Sequence, residues 1–474
     1  METAVMPLLR PLCLLALAAA AHSAMAGSIA VDYFSELDGS FNPGLPGRVP
    51  LLYDQSGTSF TDIGVNAFSD STDGRITSVA QVDINNADTN LVGIGLARHL
   101  YNGTIDTSFQ GTGKRVKDAF LTSVVDACRD PNGRIVVAGM TPGANGSAGN
   151  KDLALVRFNA DGSDDLSFAG DGGVAFSRGD DAVDHDEAIR DVDCLANGNI
   201  LIAGWYDDGD ARFGFVAEMP SDGTTPSLRS YVFGASSGGT ATFTSAAEID
   251  SGIVATAFLT GTSAYGKVFF LSPGPGNYVA TASRSPFDVG GGITIPKCLS
   301  FAEPQLFGVA MLAPGDYVFS GIRKSGGINS PFVMRAQFGE QLLVNCTPVD
   351  NGVDNAYVTP PVTLSNHVFV AAGFQPFGNG PLTSRLSGLV APANGGALAV
   401  APGFGIAGLA QWSFPYQTAS ANNNRSFVQR LYLDPAYSLM AVGTRVWNGN
   451  DTDVAITRLG SQGLFNNGFE TPIE

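Results

Sequence analysis

The stretch LVRFNADGSDDLSF at residues 155–168 corresponds to LARHLYNGTIDTSF at residues 96–109. Arg157 aligns with Arg98, so the two stretches follow one another at a distance of 59 residues. A fixed period near 60 residues indicates stacked copies of one supersecondary unit, each too small to bury its apolar face alone. This repeat determines the architecture that the rest of the sequence has to satisfy.

One unit contains two apolar strands separated by polar loops and turns. An Asn-Gly turn leads into RIVVAG at residues 134–139, and an Asp-Gly turn follows LALVRF at residues 153–158. Apolar runs of about six residues bounded by Gly, Asn and Asp are typical of strands and hairpins. The first run recurs and predicts seven units, at residues 74–80, 133–139, 198–204, 252–261, 315–321, 366–373 and 436–443. Because the later copies are weak, six or eight units stay open.

The two ends of the chain predict a closed ring. The run DVAITRL at residues 453–459 matches the second strand of the unit, and residues 29–41 resemble the second half of a unit. A chain that begins and ends inside a repeat can pair its ends in one sheet, which removes exposed sheet edges. We therefore expect an all-β fold, a β-propeller of seven blades with four antiparallel strands each.

The run NGRIVVAG followed by LALVRFNADGS resembles the delta-60 repeat of exported bacterial proteins. The resemblance extends over residues 96–204 and returns at residues 453–463, whereas residues 220–445 keep only the strand rhythm and a terminal glycine. It implies a β-propeller-like array, usually without an assigned activity. The tail at residues 464–474 contains GFE and is similar to short tails on exported proteins of some Gram-negative bacteria.

The first residues have the features of an export signal. Arg10 precedes the apolar run PLCLLALAAAA, and AMA at residues 24–26 supplies a small-residue cleavage pattern. We assign residues 1–26 to a signal peptide, 27–463 to the propeller and 464–474 to the tail. The apolar stretch at residues 390–412 is interrupted by prolines and glycines, so we expect no membrane span. The expected location is extracellular, cell-surface or periplasmic.

The charge of the chain limits its partners. Its formal net charge is −18, with 44 acidic and 26 basic side chains. Nucleic acids and anionic membranes bind basic patches, so we expect neither as a partner. An acidic chain is compatible with cation binding, but the charge alone does not indicate a site.

Four cysteines remain outside the signal peptide, and an exported protein with an even number of cysteines is expected to form disulfides. Cys128 and Cys194 each stand just upstream of corresponding strands in consecutive repeats. We therefore prefer the pairs Cys128–Cys194 and Cys298–Cys346. Four cysteines allow three connectivities, and the other two stay open.

The loop GDDAVDHDE at residues 179–187 is the densest cluster of oxygen ligands in the chain. Asp184, Asp186 and Glu187 are the candidate ligands, since oxygen-rich loops with glycine can bind Ca²⁺. The loop lacks the glycine and glutamate spacing of an EF-hand, and an ordinary solvated turn is the alternative. Apart from this candidate Ca²⁺ we expect no cofactor.

Arginine recurs at one position of the repeat. One interpretation is a ring of guanidinium groups around a central channel that binds an anion. The other is a brace in each blade, formed with the acids at Asp106 and Asp165 in the following turn. We favour the brace, because a binding site rarely needs every copy and arginine often satisfies carboxylates structurally. The arginines are Arg98, Arg157 and Arg458, with Arg335 and Arg385 as looser matches.

The sequence gives little sign of catalysis. It has no HExxH motif and no P-loop. His99 takes the strand position of Phe158 in the next repeat, which predicts a buried residue. We therefore expect a non-enzymatic exported scaffold that binds an unknown protein or glycan. The alternative is a polysaccharide hydrolase or lyase with acids near the propeller axis, marked by departures from the repeat.

Overall fold

In the computed structural model the chain forms seven antiparallel sheets around a central channel. It is a seven-bladed β-propeller, as the repeat predicts, and the named elements of the described residues are all strands. The structure describes residues 37–42, 44, 47–53, 61–84, 91–143, 150–178, 185–225, 228–234, 239–249, 252–261, 265–284, 304–325, 328–338, 342–349, 357–374, 383–393, 395–401, 404, 409–412, 426–448 and 451–460.

The blades follow one another along the chain, each running from the channel outward. The first strand of the chain, β1 (Arg48–Leu51), belongs to the last blade. Blade 1 has β2 (Ile63–Ser69), β3 (Ile76–Asp83), β4 (Val92–His99) and β5 (Lys114–Leu121). Blade 2 has β6 (Ser123–Arg129), β7 (Ile135–Pro142), β8 (Lys151–Phe158) and β9 (Gly173–Phe176). Blade 3 has β10 (Glu187–Cys194), β11 (Ile200–Asp207), β12 (Arg212–Met219) and β13 (Arg229–Gly234).

The later blades keep the same order. Blade 4 has β14 (Ala241–Ile249), β15 (Gly252–Leu259), β16 (Tyr265–Pro273) and β17 (Tyr278–Arg284). Blade 5 has β18 (Gln305–Ala313), β19 (Asp316–Ser325), β20 (Ile328–Phe338) and β21 (Leu342–Pro348). In blade 6 the first and last strands are split, giving β22 (Tyr357–Val358), β23 (Val362–Leu364), β24 (His367–Phe374), β25 (Thr383–Val390), β26 (Ala399–Val400) and β27 (Leu409–Trp412). Blade 7 has β28 (Ser426–Leu433), β29 (Leu439–Asn448), β30 (Asp451–Leu459) and, outermost, β1.

The ring closes through blade 7, as the two chain ends predict. β1 pairs with β30 in antiparallel register, from Arg48 opposite Thr457 to Leu51 opposite Val454. Residues 29–34, which the sequence also places in this half-unit, lie outside the described residues.

The core lies between neighbouring blades, and this explains the unbroken apolar runs of the repeat. In β7, Val137 belongs to the buried cluster that includes Val79 of blade 1. The next residue back, Val136, belongs to the cluster that includes Ile202 of blade 3. Successive strand residues point to opposite faces, so a strand covered on both faces needs apolar residues at consecutive positions.

The recurrent arginine is a structural brace, as favoured from the sequence. The Nε atom of Arg157 lies 2.7 Å from Oδ2 of Asp165. Arg98 and Asp106 repeat this ion pair at 2.7 Å in blade 1. In blade 7 the acid comes from the other end of the chain, since Arg458 Nε lies 2.6 Å from Asp38 Oδ2.

Each brace also reaches the next blade. Nη1 of Arg98 donates to the carbonyl oxygen of Ala160 at 3.4 Å, and Nη1 of Arg458 donates to that of Tyr101 at 2.6 Å. Arg157 makes the same contact with the carbonyl of Ser221. The arginines therefore join neighbouring blades and do not form a ring around the channel.

The two looser matches have different outcomes. Arg335 makes a brace, with its Nη2 at 2.6 Å from Oδ2 of Asp316 and its Nη1 at 2.9 Å from the carbonyl oxygen of Pro392 in the next blade. Arg385 is a wrong assignment. It lies opposite Ala372 toward the far end of β24, whereas the arginines of the other braces lie opposite the start of the second strand. The weak repeat in this blade left its register ambiguous.

In blades 2 and 3 the glycine of the Asp-Gly turn after the third strand receives an aromatic ring from the preceding blade. Gly162 has a φ of 82°, and a Cβ there would collide with the ring of Phe109. Gly223 faces Phe168 in the same way. Glycine is needed at this position both for the left-handed backbone and for the approach of the ring.

A disulfide joins Cys128 in β6 to Cys194 in β10, as predicted. It connects the innermost strands of blades 2 and 3, with the Cα atoms 5.5 Å apart. Cys346 is also disulfide-bonded. Cys298 lies outside the described residues, so the pair Cys298–Cys346 stays a prediction.

The described part of the chain contains no helix that is long and apolar enough to cross a membrane.

Candidate functional site

In six of the seven blades a β-bulge in the innermost strand turns one side chain into the channel. The register shift near the start of each of these strands leaves that residue unpaired. Bulges re-aim side chains and are frequent next to functional sites. The bulged residues line the channel and differ between blades: Val65, Val125, Arg190, Thr244, Phe307 and Gln429.

The channel contains a cavity of about 600 Å³. Its lining includes Arg212, which begins β12, Thr240, which immediately precedes β14, and Thr260, which immediately follows β15. In an antiparallel blade, the starts of the first and third strands and the end of the second lie at the same edge. The cavity therefore reaches the face opposite the arginine braces, which lie where the third strands end.

One arginine crosses the channel. Arg430 in β28 of blade 7 donates from Nη2 to Oδ1 of Asp191 in blade 3 at 3.0 Å. The same Nη2 donates to Oδ2 of Asp126 in blade 2. Blade 7 adjoins blade 1 in the ring, so this side chain has to span the axis. It stands at the position that carries Asp126 and Asp191 in the other two blades, directly after the bulge.

The two aspartates are held on their other sides by backbone. Oδ1 of Asp126 accepts the amide of Ala127 at 2.8 Å, and Oδ2 of Asp191 accepts the amide of Ala246 in blade 4 at 2.9 Å. Burial, followed by the charge of Asp191, raises the pKa of Asp126, while Arg430 opposes that rise. Burial lowers the pKa of Arg430, but the two aspartates outweigh it and raise this pKa overall.

A second group of cations lies nearer the mouth. Arg190 is exposed to the channel and has no hydrogen bond or ion pair with the other described residues. Arg212 lies with its guanidinium carbon 3.5 Å from the ring centroid of Trp205, and its Nε is 3.1 Å from Oδ1 of Asp207. Desolvation by the channel walls, and then the charge of Arg212, lower the pKa of Arg190. Both guanidinium groups line the same cavity, which therefore holds two like charges.

Hydroxyl groups form the adjoining wall. Thr240, Thr242, Thr244 and Thr260, all associated with blade 4, line the cavity. The hydroxyl oxygens of Thr240 and Thr260 are 2.7 Å apart. This side of the cavity combines donors from arginine with hydroxyls that both donate and accept.

The acidic loop predicted to bind a cation is only partly described, since Asp184 lies outside the described residues. Asp186 is exposed, whereas Glu187 is buried in β10. Oε1 of Glu187 accepts the hydroxyl of Ser177 and the amide of Arg178, both at 2.8 Å. Within the described ranges no three His, Cys, Asp or Glu side chains are grouped as a metal site. Ca²⁺ binding by the loop stays a prediction.

The histidines do not form a catalytic group in the described structure. His99 is buried in β4, as predicted, and burial lowers its pKa to about 4. His367 begins β24, where desolvation lowers its pKa. His185 lies against Gly209 in the β11–β12 turn.

Sequence reasoning missed Arg190, Arg212 and Arg430. A signal was present: with the bulges aligned, the first strands read GVNAF, VVDAC, IRDVD and VQRLY. Arg430 stands where the other three strands have Asn or Asp, and Arg190 stands where two of them have Val. Both arginines therefore depart from the repeat. The bulge that makes these positions face the channel is invisible in a single sequence.

Asp193 should make stability depend on pH. Burial, followed by the charge of Asp191, raises its pKa to about 7. A raised carboxyl pKa means that the folded protein holds a proton that the unfolded chain releases between about pH 4 and 7. Asp193 therefore destabilises the fold progressively as the pH rises through this window.

The test is Asp193→Asn, with unfolding in urea followed at pH 4 and pH 8. We expect the free energy of unfolding of the variant to match that of the wild type at pH 4 and to exceed it at pH 8 by about 1–2 kcal/mol. This is less than the full pKa shift of Asp193 would give, because solvent relaxes around the carboxylate. Asp118→Asn, at an exposed position in β5, is the control and should change neither value. An equal effect at both pH values would contradict the assignment.

The solved structures that this chain resembles share little sequence with it. No family model matches the chain, and no curated protein does. The β-propeller domain of Nup133 from Vanderwaltozyma polyspora is similar at a TM-score of 0.43 and 8% identity, covering 87% of this chain and all of that domain. The Pyrococcus horikoshii acylaminoacyl peptidase reaches 0.39 at 9% identity, covering 87% of this chain and 54% of the peptidase.

The extracellular domains 1–2 of Drosophila semaphorin 1b reach a TM-score of 0.35 at 10% identity, covering 84% of this chain and 88% of that one. The chain spans about half the length of the peptidases it matches. At these identities we infer no function from any of them, and the resemblance to the delta-60 repeat stays a prediction.

Proposed function

We propose that this protein is an exported, non-enzymatic scaffold that binds its ligand in the mouth of the propeller channel. The observation that carries the proposal is the unequal lining of the cavity. Six of the seven blades have the bulge, and they present Val, Arg, Thr, Phe or Gln there. A purely structural ring has no need of such differences, whereas an asymmetric ligand does.

Export is supported by the leader-like residues 1–26 and by the disulfide between Cys128 and Cys194. Disulfides persist in oxidising compartments and are rare in the cytosol. The extracellular space, the cell surface and the periplasm all fit this chemistry.

The contacts that the acidic side chains of the channel already make favour binding over hydrolysis. A glycosidase needs one carboxyl group as acid and a second as base or nucleophile, both facing the sugar. Asp126 and Asp191 are instead engaged by Arg430 and by backbone amides. The alternative, a polysaccharide hydrolase or lyase, lacks a free pair of acids among the described lining residues.

The test is a channel-blocking variant measured by saturation-transfer NMR. The probes are neutral sugars, sugar acids, amino acids and inorganic phosphate. Val125→Trp fills the channel, and Leu166→Trp is its control, because Leu166 is 65% exposed in the turn on the opposite face. We expect the wild type and Leu166→Trp to bind the same probes and Val125→Trp to bind none.

A probe bound equally by the blocked protein would place the ligand outside the channel. Turnover of an oligosaccharide, abolished by one acid-to-amide change, would favour the hydrolase alternative. Thr242→Trp, which narrows the same cavity from blade 4, repeats the test if Val125→Trp does not fold.

A further inference from the structure

We infer that the channel mouth binds an oxyanion, a carboxylate or phosphate on a small hydroxylated compound, between Arg190 and Arg212. This inference rests on the proposed binding function and specifies the chemistry of its ligand. The contacts that support it come from blades 3 and 4.

Arg190 is the main reason. Its guanidinium is exposed to the channel, and no carboxylate of the described residues neutralises it. The protein carries a formal net charge of −18, so acidic partners are abundant elsewhere in the chain. The braces show the usual arrangement, since Arg98, Arg157, Arg335 and Arg458 all have an aspartate. A guanidinium left without one has its five donors available for a ligand.

Arg212 is positioned to share the anion. Asp207 accepts from its Nε and Nη2, at 3.1 and 3.4 Å, while Nη1 donates to no other described residue. Its plane is fixed by stacking on Trp205, and a fixed guanidinium loses little freedom on binding. Arg190 and Arg212 line the same cavity, so one anion there can accept from both guanidinium groups. Charge-assisted bonds from arginine to carboxylate or phosphate are strong.

The neighbouring wall defines the rest of the ligand. Thr240, Thr242 and Thr260 offer hydroxyls beside the arginines, and Gln305 adds an amide. These groups bind hydroxyls of a sugar acid or sugar phosphate. A cavity of about 600 Å³ accommodates a compound of that size.

The experiment is a calorimetric titration with three probes: galacturonate, galactose and inorganic phosphate. Galacturonate and galactose share their hydroxyls and differ in the carboxylate, and phosphate supplies the oxyanion alone. The variant is Arg190→Gln, which should keep the wild-type unfolding midpoint because Arg190 has no partner among the described residues. The control is Arg75→Gln, at a guanidinium that is 41% exposed on the opposite face.

We expect galacturonate to bind more tightly than galactose, and added NaCl to weaken it. Arg190→Gln should reduce its affinity at least tenfold, and Arg75→Gln should leave it unchanged. Binding of phosphate, competitive with galacturonate and lost in Arg190→Gln, would assign the site to the oxyanion itself. Binding of galacturonate without phosphate would assign it to a sugar carboxylate.

Binding of galactose as tightly as galacturonate, unaffected by Arg190→Gln, would overturn the oxyanion inference and leave the binding function standing. Failure of all three probes to bind would overturn the oxyanion inference. If the wider probe panel also fails to distinguish Val125→Trp from the wild type, the proposed function fails with it.

Discussion

Arg458→Met is expected to lower the free energy of unfolding by about 3–5 kcal/mol, the usual loss when one partner of a buried ion pair is removed. The side chains of Arg458 and Asp38 are only 1% and 0% exposed, so the substitution leaves a carboxylate buried without its cation. The variant also loses the hydrogen bond to Tyr101 of blade 1 and the stacking of Arg458 on Phe41. Because the pair joins the two ends of the chain, the loss falls on ring closure. Urea unfolding followed by circular dichroism measures it.

Two further variants make the interpretation specific. Arg458→Met combined with Asp38→Asn removes the orphaned charge, and we expect it to recover part of the lost stability. Arg75→Met removes a partly exposed arginine and should cost less than about 1 kcal/mol. If Arg458→Met unfolds at the same urea concentration as Arg75→Met, the closure does not depend on this pair.

Removing the disulfide by Cys128→Ala with Cys194→Ala is expected to cost about 4 kcal/mol. The crosslink closes a loop across a sequence separation of 66 residues, and a loop of that length restricts the unfolded chain by about this amount. The double variant keeps the disulfide of Cys346, whereas reduction of the whole protein would break that bond as well. The urea midpoint of the variant against the oxidised wild type gives the value.

The same comparison contains its own control. Adding a reductant should lower the midpoint of the wild type more than that of the double variant, because the variant has one crosslink fewer to lose. Equal shifts would mean that the bond between blades 2 and 3 does not limit unfolding. If the double variant has a lower urea midpoint but reduction leaves the midpoint of the wild type unchanged, cavities at Cys128 and Cys194 explain the loss instead.

The candidate site could be found from the sequence only in outline. Arg190 and Arg430 both depart from the repeat, but the sequence does not show that these two departures line one channel. The acids at Asp126 and Asp191 became recognisable as partners of Arg430 only when three distant blades were brought together. Contacts across 239 and 304 residues leave no local pattern in the sequence.

The sequence by itself predicted the blade and the closure of the ring, and it favoured seven copies, which the folded structure settled. These follow from local rules: apolar runs that pack on both faces, glycine at left-handed turns such as Gly162, and arginines spaced to meet the aspartate of the next turn. Each such rule acts within one repeat or between neighbours, so a period of about 60 residues displays it repeatedly. The register of the weak blade containing Arg385 was assigned wrongly for the same reason, since its repeat is degraded.

Only the tertiary structure decided what faces the channel. A bulge shifts the alternation of a strand by one residue, and its position depends on pairing with the next strand rather than on the residue that protrudes. Whether Arg190 braces a blade or meets a ligand depends on the distance to every acid in the fold. That distance is set when seven blades close around an axis, which is why the sequence predicts the scaffold and the folded ring defines the candidate site.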